Sequence, residues 1–219
     1  MNTDRMKRGP LISIAGMVGV GKTSLAKTLA ETLGYQLSME KVDDHPYLDD
    51  YYEDFKRWSF HVQIFFLAER FKEHQRIFHD SHGYVQDRTI YEDVDIFARL
   101  QYEAGNLSER DYHTYRSLFE AMTTFPYFAP PDLVIYLRGD LDTIIRRIQK
   151  RGRPMELKTP LQYWEMLYNR YETWIRSFNR APLLIIDISE YDLFNDHQRT
   201  QELIQRIQKH LNAKRLQAT

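Results

Sequence analysis

The sequence predicts an α/β fold, a mainly parallel sheet covered by helices on both faces. Three observations carry this. Five short apolar segments alternate with longer helical stretches across the 219 residues. The first apolar segment runs directly into a glycine-rich turn that opens a helix. No repeat, low-complexity tract or long linker divides the chain, so one domain spanning 1–219 is expected. Buried strands that alternate with helices need cover on both sides.

In chain order, Leu11–Ala15 reads as a buried strand, and the amphipathic stretch Ser24–Leu33 as the helix after it, stopped by Gly34. Gln36–Met39 and Gly83–Asp87 are the next strands, separated by a long aromatic helix from about Trp58 to His79. A helix over Val94–Glu103 follows. Ser108-Glu109-Arg110-Asp111 then has the spacing to start another, which runs towards Met122. Leu133–Leu137 is the fourth strand, and Asp140 caps a helix that ends near Gly152. Leu161–Phe178 is helical, Leu183–Asp187 is the last strand, and Gln198–Leu211 is the last helix. In such sheets, ligands sit beyond the carboxyl ends of the strands.

Gly16-Met17-Val18-Gly19-Val20-Gly21-Lys22-Thr23 is a complete phosphate-binding loop between a strand and a helix, and Ser24 continues it. Its glycines let successive N–H groups point at one phosphate chain, and the helix end adds partial positive charge. Lys22 can reach the β- and γ-phosphates, and the Thr23 hydroxyl can ligate Mg²⁺. The chain therefore binds a nucleoside triphosphate. Its formal net charge of −1 offers no field for nucleic acid or an anionic membrane, so neither is an expected partner. The absence of cysteine excludes disulfides and thiolate metal sites. Met1–Pro10 is polar, and the apolar run after it is too brief for a signal sequence or membrane span, which makes a cytoplasmic enzyme the expectation. With 15 Tyr, 12 Phe and 3 Trp, the chain has aromatics enough for a core and a base-stacking pocket.

Phosphoryl transfer needs a group to orient the acceptor and take its proton, and another to hold Mg²⁺. Glu40 and Asp87, at the ends of the second and third strands, stand where those tasks arise, although either alone could be a polar residue opening a loop. Arg88 can bridge an acceptor oxygen and the base carboxylate, or simply pair with Asp87. Arg146, Arg147, Arg151 and Arg153 flank Gly152. They read as a lid over the transferring group, about 147–157, or as a solvated basic helix end. Gln63 and Arg70, seven positions apart, share one face of the aromatic helix, though a lone Gln there is more often a polar neighbour than a ligand group.

Several blocks resemble the deoxynucleoside kinases: Tyr52-Glu53-Asp54-Phe55-Lys56-Arg57-Trp58-Ser59-Phe60-His61-Val62-Gln63, Asp87-Arg88-Thr89-Ile90-Tyr91-Glu92-Asp93 and Arg151-Gly152-Arg153-Pro154-Met155-Glu156. The wording of Val42-Asp43-Asp44-His45-Pro46-Tyr47-Leu48 and of 63–70 is most similar to bacterial deoxyadenosine/deoxycytidine kinases. The resemblance implies a P-loop kinase fold with a five-stranded parallel sheet, an arginine lid, ATP or another NTP as donor with Mg²⁺, and a homodimer built through a helix pair. It implies Glu40 as general base for the 5′-hydroxyl, with Arg88 touching that oxygen and Glu40, and Lys22 serving the transfer. Asp87 and Thr23 would serve the metal, and Arg147, Arg151 and Arg153 the lid. Tyr52 and Glu156 would bind the 3′-hydroxyl. Gln63, Arg70 and Asp93 would read the base, with Trp58 and Phe97 as pocket walls. Two departures stand out: animal members usually have Glu at position 87 and Phe at position 62, where this chain has Asp87 and Val62.

Adenine and cytosine both present an amino donor beside a ring-nitrogen acceptor, which one amide, Gln63, can match. Asp93, held by Arg70, can accept the second amino hydrogen. Thymine, uracil and guanine put a carbonyl there instead, which faces Asp93 unfavourably. Deoxyadenosine and deoxycytidine are therefore the expected substrates, deoxyguanosine a poorer one and thymidine the poorest. Arg70 could instead serve a guanine carbonyl, which leaves a deoxyguanosine-preferring kinase open. A nucleoside monophosphate kinase shares the loop and lid, but Glu40 would repel its dianionic acceptor. A GTP switch lacks its Asn-Lys-x-Asp segment here, and its Asp-x-x-Gly form, Asp80-Ser81-His82-Gly83, precedes the third strand. A nucleotide-binding adaptor would show no acceptor-dependent ADP production. Ser189–Asp192, after the last strand, lies where the donor base should sit, and the sequence leaves the preferred donor open. Feedback inhibition by a deoxynucleotide is a further implication of the resemblance.

Overall fold

A computed structural model describes residues 8–40, 45–124, 128, 130–189 and 197–217, with side chains of the last helix described over 198–211. Five parallel strands form one sheet in the order β2-β3-β1-β4-β5. They are β1 Leu11–Gly16, β2 Gln36–Ser38, β3 Tyr84–Asp87, β4 Leu133–Arg138 and β5 Leu183–Asp187. The two strands with the phosphate loop and the Asp87-Arg88 turn are direct neighbours, with Ile14 opposite Asp87. Every residue of β1 and β3 is buried. Both faces are covered, so neither strand has an exposed polar face; the polar residues they do carry, Ser13, Gln86 and Asp87, are buried as well.

α1 (Lys22–Leu33) starts two residues before its expected first turn. Its N-cap is Gly21, with no side-chain cap and no acidic residue in the first turn, so its N–H groups stay open towards the strand ends. It ends at Gly34, as expected, whose N–H reaches the carbonyls of Ala30 and Glu31. α3 (Phe55–Phe78) begins three residues earlier than its aromatic pattern implied, because the Asp54 carboxylate accepts the Arg57 N–H and caps it there. Its buried stripe is Ser59, Val62, Gln63, Leu67, Arg70, His74 and Ile77. Four polar side chains in that stripe, Ser59, Gln63, Arg70 and His74, explain why the helix has no ordinary apolar face.

Two short helices were not expected, α2 (Leu48–Glu53) and α8 (Pro154–Lys158). The helix expected over Val94–Glu103 begins at Ile90 instead. α4 (Ile90–Glu92) is opened by a capping box between Thr89 and Glu92, passes into a π-helical turn, Asp93–Ala98, and continues as α5 (Arg99–Glu103). The remaining helices are α6 (Glu109–Met122), α7 (Leu141–Arg151), α9 (Leu161–Ser177) and α10 (His197–Gln217). Ser108 and Asp140 cap α6 and α7, as their positions implied.

The main core joins the sheet to α1, α7, α9 and the π-turn, through residues such as Ile12, Leu25, Val85, Val134, Ile148 and Leu167. A separate apolar cluster, Leu48, Tyr51 and Val62 with Phe66 and Met155 against it, lies on α2, α3 and α8. No helix among the described residues is long and apolar enough to cross a membrane.

Candidate active site

Between the strand ends and this second cluster lies a cleft of about 320 Å³. Lys22, Thr23, Glu40, Asp87, Arg88, Asp93, Arg151, Arg153 and Glu156 bring charge or hydroxyls to it, and Tyr52, Gln63 and Phe97 line it too. Residues as far apart in sequence as Lys22 and Glu156 thus meet in one place, beyond the ends of the strands. A larger hollow, about 670 Å³, lies by α6 and α9, away from the phosphate loop.

The phosphate loop needs its glycines. Gly19 has φ 82, and a Cβ there would meet Ile148 Cγ1 of α7 at 2.7 Å. Gly21, at φ 110, makes the turn into α1. The Lys22 ammonium donates to the Gly16 and Met17 carbonyls at 2.8 and 3.0 Å. Burial and, less strongly, Arg88 lower its pKa to about 8. The Thr23 hydroxyl donates to Asp87 Oδ2 at 2.5 Å, while Asp87 Oδ1 is buried with no partner among the described residues. That orphaned oxygen beside a loop hydroxyl suits a hard cation such as Mg²⁺.

Glu40 lies two residues past β2. Arg88 Nε is 2.6 Å from its Oε1, out of line for a hydrogen bond, and Arg70 Nη2 donates to Oε1 at 2.9 Å. Burial alone would raise the carboxyl pKa, but Arg88, Arg70 and Lys22 outweigh it and lower it to about 2. Arg70 turns its Nε to Asp93 Oδ2 at 2.5 Å, so one guanidinium spans both carboxylates. Burial pushes Asp93 up to about 6 against the pull of Arg70. The Gln63 amide lines the cleft and makes no hydrogen bond among the described residues.

Arg88 has φ 78, the left-handed region that a bulky residue adopts at a cost of about 1–3 kcal/mol. Its N–H is fixed by the Ile14 carbonyl at 2.9 Å, its Nη1 by the Tyr171 hydroxyl at 2.9 Å, and its guanidinium lies 4.7 Å from the centre of the Phe97 ring. Such strain held by packing is a feature of sites rather than of plain loops.

Not every expected residue lines the cleft. Trp58 is turned aside: it stacks on Tyr47 at 5.6 Å and lies under Arg57, and Phe66, Met39, Tyr51, Val62, Met155 and Tyr163 form the wall instead. Arg70 is reached through Glu40 and Asp93 and borders a smaller neighbouring hollow. Arg147 donates to the Val20 carbonyl at 2.8 Å, on the phosphate loop. Arg151 forks onto Glu156 at 2.5 and 2.6 Å, with Arg153 3.7 Å from the same carboxylate. Two of the three lid arginines thus gather on Glu156. Val42–Asp44 of the resemblance and residues 190–192 of the donor-base segment lie outside the described residues.

The deoxynucleoside kinase family profile matches residues 12–212. The chain belongs to the deoxynucleoside kinase family. This kinase is 52% identical over 207 residues to a deoxyadenosine/deoxycytidine kinase of Bacillus subtilis, covering 94% of this chain and 95% of that one. It is 33% identical over 176 residues to a Bacillus subtilis deoxyguanosine kinase, covering 80% and 83%. Among solved structures, a deoxyadenosine kinase of M. mycoides with bound dATP aligns with TM-score 0.78 at 33% identity, covering 91% of this chain and 99% of that one. The kinase accordingly uses a nucleoside triphosphate as phosphate donor and a deoxynucleoside as acceptor.

Sequence reasoning missed Glu92 and Tyr171, both fully buried and both bonded to Arg88. The capping-box spacing of Thr89 and Glu92 was a readable signal for the first. Tyr171 is one of several tyrosines in the chain's ninth helix and carried none.

Proposed function

We propose that this kinase transfers the γ-phosphoryl group of ATP or a related triphosphate to the 5′-hydroxyl of deoxyadenosine and deoxycytidine. The observation that carries the base preference is the Gln63 amide, which has no hydrogen bond among the described residues and lines the same cleft as Asp93, whose carboxylate Arg70 grips. That pair offers an acceptor to an amino group and repels a carbonyl. The name of the 52%-identical relative agrees with this choice. Deoxynucleotide salvage is the role such a reaction serves.

Glu40 accepts the 5′-hydroxyl as a hydrogen-bond donor, aims its oxygen and receives its proton late in the transfer. Arg88, beside Glu40, steadies that oxygen. Lys22 leaves the loop carbonyls for the β- and γ-phosphates, whose other oxygens meet the open N–H groups of α1. Thr23 and Asp87 would hold Mg²⁺, which supplies charge screening for the phosphates when bound. Tyr52 and Glu156 meet the 3′-hydroxyl, and Arg147, Arg151 and Arg153 close over the transferring group. Phe97, with Phe66 and Val62, encloses the base. A homodimer and a cytoplasmic setting fit this reading.

The decisive experiment measures initial rates with the four natural deoxynucleosides, and with dAMP as a competing kind of acceptor. Deoxyadenosine and deoxycytidine should exceed deoxyguanosine, and thymidine should be poorest by about ten- to two-hundredfold in kcat/KM. Thymidine as the best substrate, or dAMP outpacing deoxyadenosine, overturns the reading.

Discrimination should also depend on pH. Asp93 faces Arg70, with Glu40, Arg88 and Tyr115 near enough to act on it or feel it. With its pKa raised to about 6, it is an acceptor above that pH and carries a donor proton below it. The kcat/KM ratio of deoxycytidine to thymidine should therefore shrink between about pH 8 and about pH 5.5. A ratio constant across that span would remove Asp93 from base selection.

A further inference from the structure

Glu92 lines neither the cleft nor the surface, being 0% exposed, yet five donors converge on its carboxylate. Oε2 accepts the Thr89 N–H and hydroxyl at 2.7 and 3.0 Å. Oε1 accepts the Gly16 N–H at 3.1 Å and the Tyr171 hydroxyl at 2.8 Å, with Arg88 Nη1 at 3.4 Å. Gly16 is the first residue of the phosphate loop. The same Tyr171 hydroxyl accepts a hydrogen bond from Arg88 Nη1 at 2.9 Å.

This chain of contacts grips Arg88 from the side away from Glu40. A guanidinium on a long side chain has several rotamers, and only a few would keep Nε facing Glu40. Tyr171 fixes one edge of the fork and Phe97 underlies its plane, which leaves the Nε edge turned to Glu40. Because Glu92 also holds the Gly16 N–H, the loop that cradles the donor and the arginine beside the acceptor share one anchor.

We propose that Tyr171, anchored on Glu92, is a positioning residue of the phosphoryl transfer. It holds the Arg88 guanidinium at a fixed separation from the phosphate loop and acts through Arg88 alone. The inference rests on the reading above that Arg88 steadies the 5′-oxygen.

Tyr171→Phe is the suitable variant, since it removes only the hydroxyl and keeps the ring against Tyr136, Trp174 and Phe97. With deoxyadenosine and ATP, kcat should fall about tenfold while KM for the nucleoside stays within about twofold, because the lost alignment matters most in the transition state. Arg88→Lys provides the comparison, as a lysine has no second nitrogen to meet Tyr171. On that background Tyr171→Phe should change kcat by less than about twofold. Equal losses on both backgrounds overturn the proposal, because a merely structural tyrosine would act whether or not Arg88 is present. So does an unchanged kcat in Tyr171→Phe alone. If Arg88→Lys keeps full turnover, the role given to Arg88 fails first, which is a result distinct from the other two. Thermal midpoints of all three variants separate misfolding from misalignment: Tyr171→Phe should melt a few degrees lower on either background, through the bond lost to Glu92, and still unfold in one cooperative step.

Discussion

Glu40→Gln should lower turnover about a thousandfold while the dissociation constant for deoxyadenosine stays within a few-fold. The amide keeps the shape and can still accept a hydrogen bond from the 5′-hydroxyl, but it cannot take the proton. Its stability should fall as well. Arg88 and Arg70 lower the carboxyl pKa to about 2, against 4.5 ordinarily, so the ionised group stabilises the fold at neutral pH. That difference corresponds to about 3 kcal/mol, present above about pH 4.5 and lost as pH drops towards 2. The variant loses this and leaves two buried guanidiniums short of a counter-charge. Steady-state kinetics with equilibrium nucleoside binding check the first part, and thermal unfolding at neutral pH checks the second. Turnover near that of the parent would remove Glu40 from the chemistry. A carboxylate with so low a pKa is a weak base, which suits a loose transition state in which the proton leaves late. The acid limb of the pH–rate profile should therefore come from a group other than Glu40.

Lys22→Met should also abolish most activity, by about a hundredfold or more, since one preorganised donor is lost at the developing phosphate charge. Here the stability effect has the opposite sign. Burial, with Arg88, lowers the ammonium pKa from 10.5 to about 8, so the folded protein holds this proton less tightly than the unfolded chain does. The buried charge therefore costs about 3 kcal/mol below pH 8, and the cost fades as pH rises towards 10.5. Its two hydrogen bonds to Gly16 and Met17 return about 1 kcal/mol each. The nucleotide-free variant should melt about 3 °C higher than the parent at neutral pH. A lower melting temperature would mean that the loop carbonyls depend on Lys22 more than this balance allows. Two charged residues in one cleft are thus distinguishable: one supports the fold that it serves, and the other strains it.

The sheet was legible because its central strands are buried on both faces and read as mostly apolar runs, Leu133–Leu137 throughout and Leu11–Ala15 with Ser13 as its one polar residue. The phosphate loop was legible because glycine, lysine and threonine at that spacing have few other uses together. What remained hidden was short or shared a period with something else. α2 and α8 have five or six residues each and too little length for a pattern. The π-turn at Asp93–Ala98 has nearly the same sequence rhythm as an α-helix, yet Asp93 and Phe97, both within it, reach the cleft. Glu40, Arg88, Gln63 and Asp93 were singled out from sequence, and the structure brings all four to one cleft. Gln63 looked ordinary in isolation, and only the family resemblance gave it weight. Trp58 misled because its aromatic neighbours made it look like part of the wall, whereas Tyr47, outside every expected element, draws it away. Which hydroxyl would hold the Arg88 guanidinium could not be read at all, since Tyr171 is 83 positions away.

The far wall of the cleft has its own small apolar cluster, Leu48, Tyr51 and Val62, not continuous with the core beneath the sheet. Exchanges there reshape the space offered to a nucleobase and leave the platform for phosphate chemistry untouched. A lineage of such enzymes can in this way alter its diet one residue at a time, with the machinery for transfer inherited intact.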